Sequence, residues 1–153
     1  MVTDVKTYDP AEVLVVVGGF IISGFAPGTL IELAPDAAPF RDDFGVDGEP
    51  ARWASRNPLD SLTLSLAQSS ASNFVLSNLL NADLVTHAGI LPVLIMDNNT
   101  SGLRSTYVAA RGWVTGPPRI QYAADPTARR WIIRLLNTLY NTKGIDGASA
   151  ISI

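Results

Sequence analysis

A single amphipathic helix between two sets of strand-like segments most constrains what this chain can fold into. The segment Ser69–Val85 repeats apolar residues at helical spacing, and Ser70 or Ser72 is placed to cap its first turn by accepting a backbone N–H. The apolar row consists of Leu76, Leu79, Leu80 and Leu84. Neither a lone helix nor a sheet can bury its apolar face by itself. We therefore expect a mainly β domain with one α-helix, at about residues 70–85, packed against its sheets.

The rest of the chain reads as short strands separated by turns. Glu12–Val17 and Phe20–Ser23 form a predicted hairpin around Gly18-Gly19. Alternating or continuous apolar patterns predict further strands at Thr29–Leu33, Asp60–Gln68, Leu91–Asp97, Leu103–Thr115, Ile120–Ala123 and Arg130–Leu136. A turn is expected at Asp97–Gly102. At 153 residues the length suits one domain, spanning residues 1–153, with an N-terminal arm at 1–11 and a C-terminal tail at 138–153.

Composition narrows the class of function. Hydrophobic residues make up 47% of the chain and charged residues only 16%, which suggests a surface partly given over to contacts with other chains. The net charge of −3 argues against a protein that binds nucleic acid by neutralising phosphates. The uncharged run 13–31 is long enough to span a bilayer, but its glycines and proline favour strands with turns, so no membrane contact is expected.

A long segment without periodicity, Pro35–Arg52, is predicted to be a loop of about residues 35–52. Residues 35–50 carry a net charge of −4. A loop of this length within a compact domain usually has a function. It carries two phenylalanines, Phe40 and Phe44, which are rare in a purely solvated loop, so we expect the loop to make contacts. Residues 104–143 carry +6. These opposite charges either pair within one chain or pair head to tail between copies, which generates rings or filaments.

The sequence offers no catalytic or metal-binding constellation. His87 is the only histidine, which excludes a multi-histidine metal site, and we expect a structural role for it. The segment 43–48 fails as a calcium loop because Gly45 stands where an oxygen ligand is required. Asp42 and Asp43 read as a solvated or partner-facing surface rather than an acid/base pair. We therefore expect no enzyme, no cofactor and no metal.

Several segments in order resemble tail tube proteins of contractile-tailed bacteriophages. The matching stretches are Tyr8–Val13, Val17–Gly19, Gly24–Ala26 with Gly28-Thr29, Phe44–Glu49 with Arg52, Leu62–Leu64, Gln68-Ser69 and Ser72-Asn73. The resemblance spans roughly residues 8 to 137. It implies a β-sandwich closing toward a barrel, with one helix packed on its side and a long loop that reaches a neighbouring subunit or ring.

The resemblance also implies a function. Six copies would form a ring, and stacked rings would form a hollow tube for genome delivery in the virion tail, assembled in the host cytoplasm. The implied partners are further copies of the chain, the tail sheath protein, baseplate or tail terminator proteins, the tape measure protein and double-stranded DNA that passes without specific binding. A related secretion or injection system tube and a non-contractile tail tube stay open, as does a small ligand-binding β-barrel from a different class.

Eight residues are candidate inter-subunit contacts. They are Phe40, Asp42, Asp43, Phe44, Asp47, Glu49, Arg129 and Arg130. The phenylalanines would anchor the loop on an adjacent subunit while the acids face its basic residues. We further expect the hairpin Glu12–Ser23 to line the channel and the helix to lie outside it.

Overall fold

The computed structural model describes residues 9–28, 30–98 and 105–142. A short 3₁₀ turn, Pro10–Glu12, precedes the first strand, and the helix α1 spans Ser72–Thr86. The strands are β1 Val13–Val17, β2 Phe20–Ile22, β3 Ile31–Pro35, β4 Phe40–Phe44, β5 Pro50–Ala54, β6 Leu59–Leu66, β7 Val93–Asp97, β8 Ser105–Ala109, β9 Arg111–Val114, β10 Arg129–Leu136 and β11 Leu139–Asn141. The predicted fold class, mainly β with one helix, is confirmed.

Two antiparallel sheets face each other as a sandwich. One has the strand order β11-β8-β7-β1-β2 and the other β3-β6-β10-β9. In β6 and β10, the two central strands of the four-stranded sheet, alternate residues are buried, as period-two side-chain direction requires. Their inner apolar residues, among them Leu62, Leu64 and Trp131, are at most 1% exposed. The interior of the sandwich is therefore filled by the protein's own side chains.

Helix α1 closes one open side of the sandwich, where it contacts β2 and β9. Leu76 and Leu80 are buried and Leu79 is partly buried, as predicted. Leu84 is 62% exposed, so its predicted place in the apolar row is wrong. Each residue advances about 100° around the helix axis, so a residue four positions later lies about 40° beyond a full turn. From Leu76 to Leu80 to Leu84 these offsets add up, and Leu84 lies outside the covered face.

Hydrogen bonds fix the start of α1 to the first hairpin and to the core. The N-cap residue is Ala71, which makes no side-chain cap bond, rather than Ser70 or Ser72. The Ser70 hydroxyl instead accepts from Ser72 N–H at 3.2 Å and donates to Ser23 O at 2.6 Å. The Ser72 hydroxyl accepts from Ser23 N–H at 2.9 Å. Inside the sandwich, the Trp131 indole N–H donates to the Asn73 side chain at 2.9 Å. The helix is thus held by directional bonds as well as by apolar packing.

The C-terminal half differs from the prediction in three places. The predicted strand Leu103–Thr115 is two strands, because the chain crosses at Ala110 from the five-stranded to the four-stranded sheet. Ile120–Ala123 is not a strand but part of the connection between β9 and β10. Pro117 and Pro118, just before this segment, have no N–H to donate to a ladder. The predicted tail contains β11, which pairs with β8.

Some predictions fall outside the described residues. The tail from 143 onward and the arm from 1 to 8 lie there, as does the turn Asp97–Gly102 from residue 99 on.

Candidate assembly surfaces

The segment predicted to be a loop is instead a β-hairpin, which we call the projecting hairpin. Its strands β4 and β5 pair in antiparallel register from Phe40↔Ala54 to Phe44↔Pro50. The turn is closed by Gly48 N–H to Gly45 O and by Gly45 N–H to Glu49 O, each 2.8 Å. Gly48 has φ +83°, a conformation that glycine adopts without strain. Local turn chemistry therefore forms this hairpin, although all ten of its strand residues are exposed.

The projecting hairpin continues the pairing of β3 with β6 as one ribbon. Between the two ladders, Asp36 N–H donates to Leu59 O at 3.1 Å and Ser55 N–H donates to Pro39 O at 2.7 Å. Residues 36–39 on one side and residues 55–59 on the other form a short junction that separates the two ladders. At about 3.3 Å per residue the ribbon extends up to about 30 Å beyond the end of β3.

An ion pair holds the base of this ribbon against the four-stranded sheet. Arg134 on β10 makes a two-armed salt bridge to the carboxylate of Asp36, and the Ser61 hydroxyl donates to the same carboxylate at 3.2 Å. The hydrogen bonds from Arg134, followed by that from Ser61, hold the pKa of Asp36 below its ordinary value despite some desolvation. The pair restrains the direction in which the projecting hairpin leaves the sandwich.

The hairpin presents two different faces, because side chains alternate along a strand. One face carries Phe40, Asp42 and Phe44 from β4 and, by register, Arg52 from β5. The Arg52 guanidinium carbon lies 4.2 Å from the Phe40 ring centroid, a cation–π contact.

The other face of the hairpin carries Arg41 and Asp43 beside Trp53, which is 62% exposed. Sequence reasoning did not select Trp53 and Arg52 as contact candidates. The signal that could have found them is the glycine-bearing turn, which pairs β5 with β4 and so places both residues beside the selected ones.

The tip, residues 43–49, combines acidic and apolar side chains. The Asp43 carboxylate accepts from Phe44 N–H at 2.9 Å, and the Asp47 carboxylate accepts from Glu49 N–H at 3.2 Å. Both acids thus order the turn while they stay exposed. Phe44 is 72% exposed, and Val46 is fully exposed. A folded domain gains nothing within itself from an ordered apolar tip in water, so this tip is suited to contact with another chain.

The two arginines among the predicted contacts lie at the opposite end of the same sheet. Arg130 is exposed at the start of β10, beside Ser65 near the end of β6. Arg129 is only 5% exposed, and its guanidinium donates to Thr127 and to the Gln121 carbonyl. One subunit therefore does not bring the predicted acids and arginines together, and the hydrogen bonds of the Arg129 guanidinium lie within its own subunit.

The outer faces of the two sheets differ in polarity. The outward positions of the five-stranded sheet hold no charged residue among the described strands: Leu14, Val16, Ile21, Leu94, Met96, Thr106, Val108, Leu139 and Asn141. Those of the four-stranded sheet include hydroxyls and charges, such as Ser61, Thr63, Ser65, Glu32, Arg111, Arg130 and Arg134. A bulky apolar face favours cover by protein, whereas a polar face tolerates water.

A cleft of about 590 Å³ occupies the side of the sandwich opposite α1. Apolar residues of β3 and β7 line it together with Tyr107, Tyr140 and Asp97. Burial, with a further contribution from Asp60, raises the pKa of Tyr140 to about 12, so this phenol stays protonated near neutral pH. Since the cleft lies at an edge and the interior is filled, the geometry does not favour a ligand-binding barrel.

The described residues show no arrangement for metal chemistry. Within 9–28, 30–98 and 105–142, no group of three or more His, Asp or Glu side chains is placed to hold a metal ion. His87 ends α1 in the left-handed conformation at φ 54°, and its N–H donates to Asp83 O at 2.7 Å. This is a helix-terminating position, as the predicted structural role requires. Over the same residues, no helix is long and apolar enough to cross a membrane.

Three solved structures share this fold: a prophage tube cap and two assemblies of an extracellular contractile injection system. The anti-feeding prophage cap, a tube terminating cap, superposes with a TM-score of 0.59 at 10% identity, covering 94% of this chain and 96% of that chain. Two PVC structures of an extracellular contractile injection system superpose with TM-scores of 0.58. The sheath/tube terminator is 12% identical, with 89% of this chain and 97% of that chain covered, and the sheath-tube complex is 11% identical, with 90% and 93% covered.

A sequence relative comes from a virus. Structural protein ORF10 of Pseudomonas phage KPP10 is 27% identical over 147 residues, covering 91% of this chain and 83% of that protein. No family model matches the chain. The chain thus has the fold of tube and tube-terminating proteins, and it is similar to a phage structural protein. The expectation that it is a structural protein rather than an enzyme agrees with these relatives.

Proposed function

We propose that this protein is the subunit of a phage tail tube, forming six-membered rings that stack into a hollow tube for genome delivery. The observation that carries the proposal is the projecting hairpin, an ordered ribbon with two aromatic faces and an acidic tip, all exposed in the single subunit. Exposed arginines lie at the other end of the same sheet. A subunit with complementary surfaces at opposite ends joins head to tail, and such contacts propagate.

The hairpin contributes enough burial to stabilise a stack. Phe44 is 72% exposed and Phe40 50% exposed, and burying one phenylalanine side chain on a neighbour contributes about 1.5–3 kcal/mol. Asp42, Asp43, Asp47 and Glu49 would face the neighbour's Arg130, while Arg129 supports that surface from beneath. The contact repeats with every copy along the tube, so a modest energy per subunit gives a stable assembly.

The channel is better lined by the four-stranded sheet than by the first hairpin. The expected lining strands, β1 and β2, belong to the sheet whose outer face is apolar and bulky, which favours cover by a neighbouring subunit or by the sheath. The outer face of the four-stranded sheet carries hydroxyl groups, and Asp36 already neutralises its Arg134. Arg130 would face the acids of the neighbouring hairpin, which leaves Arg111 and Glu32 as charges of opposite sign on this face. The face would then carry little net charge to attract phosphate, so DNA would slide along it.

The same proposal covers location and partners. The protein would reside in the tail of the virion, after assembly in the host cytoplasm, in contact with sheath, baseplate or terminator and tape measure proteins. One domain, residues 1–153, would form the subunit. Support comes from the likeness to a phage structural protein and from the fold shared with tube components.

Negative-stain electron microscopy of the purified protein tests the proposal. We expect hollow tubes from the natural chain. Removing Asp42–Arg52 and closing the hairpin with a two-residue turn is expected to leave a folded subunit, judged by circular dichroism, that no longer forms tubes. A discrete monomer at high concentration, or normal tubes from the shortened chain, would contradict the proposal.

A second candidate is the ring that terminates such a tube. Two of the three structures reported above are described as terminators, and their TM-scores do not differ usefully from that of the sheath-tube complex. A terminator forms one ring and does not elongate. Single rings in place of tubes, together with binding of those rings to the end of a preformed tube, would favour this candidate.

A further inference from the structure

A braced loop lies at the end of the four-stranded sheet that is opposite the projecting hairpin. Residues 115–128 connect β9 to β10 and expose two large side chains, Ile120 at 56% and Tyr122 at 80%. Arg119 within the loop and Arg130 just after it are also exposed. This surface combines apolar groups with positive charges, so it is complementary to the hairpin tip, which combines apolar groups with negative charges.

The loop is held in place by the buried Arg129. Its guanidinium donates to Thr127 Oγ1 at 2.8 Å and to the carbonyl oxygens of Gln121 and Thr127 at 3.3 and 3.4 Å. The guanidinium carbon also lies 5.3 Å from the centroid of the Tyr122 ring. Burying a permanent charge is costly, and several hydrogen bonds to one loop offset that cost while fixing the loop's shape. The surface is therefore ordered before any partner arrives.

A shallow cleft of about 490 Å³ lies beside this loop. The Thr127 N–H donates to the Gln68 side chain at 3.2 Å, which ties the loop to the turn before α1 across the cleft. The lining is mostly small or apolar and uncharged: Ala26, Pro27, Ala67, Gln68, Ser69, Pro126, Thr127 and Ala128. Side chains of the size of Val and Phe can enter such a site without burying a charge.

We propose that the loop 115–128, its cleft and Arg130 together form the receptor for the hairpin tip of the next copy of this chain. The inference rests on the proposed function and names the partner surface of its stacking contact. Phe44 and Val46 of one copy would occupy the cleft, while Asp47 and Glu49 would face Arg119 and Arg130 of the next.

The direction of the strands supports a second copy as the occupant. The ribbon leaves the sheet where β3 ends and β6 begins, whereas Arg130 lies where β6 ends and β10 begins. An eight-residue strand separates these ends by about 25 Å, so the ribbon leaves the sheet at the end far from the receptor of its own subunit. Its charges are therefore met by another copy displaced along the strands.

Crosslinking provides a direct test, because the natural chain contains no cysteine. The double variant Val46→Cys/Ala128→Cys places one thiol at the tip and one at the cleft. Under oxidation during assembly, we expect a ladder of multimers on a non-reducing gel. Each single variant is expected to give dimers at most. The matched control, Val46→Cys/Ala82→Cys, places the second thiol on the exposed side of α1 and is expected to give no ladder.

Charge reversal gives an independent measurement. Arg119→Glu/Arg130→Glu is expected to raise the protein concentration needed for assembly by about tenfold or more, since each exposed pair changes from attraction to repulsion. Asp47→Lys/Glu49→Lys is expected to do the same, and the four changes combined in one chain should restore assembly.

The outcomes separate the receptor from the proposed function. Tubes without a ladder from the Val46/Ala128 pair, an equal ladder from the control, or no restoration in the combined charge variant would overturn the receptor alone. Absence of tubes from the natural chain would overturn the proposed function and the receptor with it.

Discussion

Two leucines of α1 allow a matched test of how the helix is packed. Leu76 is fully buried against the sandwich, whereas Leu84, on the same helix, is 62% exposed. The same substitution, to alanine, therefore removes the same atoms from two environments. Because alanine has a slightly higher helix propensity than leucine at either position, a difference between the variants reports on packing alone.

The expected magnitude follows from burial. Leu76→Ala removes fully buried methyl groups and leaves a cavity, which costs about 2.7–5 kcal/mol in well-packed cores. The helix covers an open side of the sandwich and can partly settle into the space, so we expect about 3 kcal/mol. In a chain of this size each kcal/mol lowers the melting temperature by about 2–4 °C, which gives a decrease of about 6–12 °C. Leu84→Ala is expected to change stability by at most about 0.5 kcal/mol.

The assay is thermal unfolding followed by circular dichroism, with denaturant unfolding as a second measurement. Both are performed at protein concentrations below those that assemble, because association stabilises the folded subunit. Equal losses from the two variants would refute the placement of α1, since they would mean that both faces of the helix are buried in the subunit. No loss from Leu76→Ala would show that the helix does not close the core.

Two further predictions concern polar contacts. Asn73→Ala removes the acceptor of the buried Trp131 indole N–H and is expected to lower the free energy of unfolding by about 1–3 kcal/mol in a denaturant titration. The control, Asn78→Ala on the exposed side of α1, is expected to be nearly neutral in the same titration. The pKa of Asp36 is lowered by its hydrogen bonds with Arg134, so its contribution to stability is present above its ordinary pKa and is lost as pH falls through the lowered value. Asp36→Asn is therefore expected to flatten the decline in melting temperature at acidic pH, and an unchanged pH profile would contradict this.

The sequence was informative wherever local chemistry fixes local structure. Alternation in β6 and β10, the glycines between β1 and β2 and the helical spacing of the leucines each depend on neighbours within a few residues. The same principle explains the main error. The projecting hairpin has no buried face, so its sequence shows no hydrophobic alternation. The glycines of its turn were the only local signal, and the hairpin was recognised only in the structure. The eight predicted contact residues followed from composition and resemblance, and their role stays a prediction.

What the sequence determined by itself was a mainly β chain with one helix, an acidic segment and a basic C-terminal half, because these depend on composition and short-range order. Only the tertiary structure decided which sheet each strand joins, since the crossing at Ala110 is set by pairing with distant strands. It alone placed the loop 115–128 over Arg129, whose guanidinium donates to Thr127 and to the Gln121 carbonyl. It also placed the acidic tip and the basic loop at opposite ends of one sheet. That separation prevents the charges from pairing within a subunit. It depends on the antiparallel pairing of β6 with β3 and with β10, which joins segments distant in sequence and is not encoded by a local pattern.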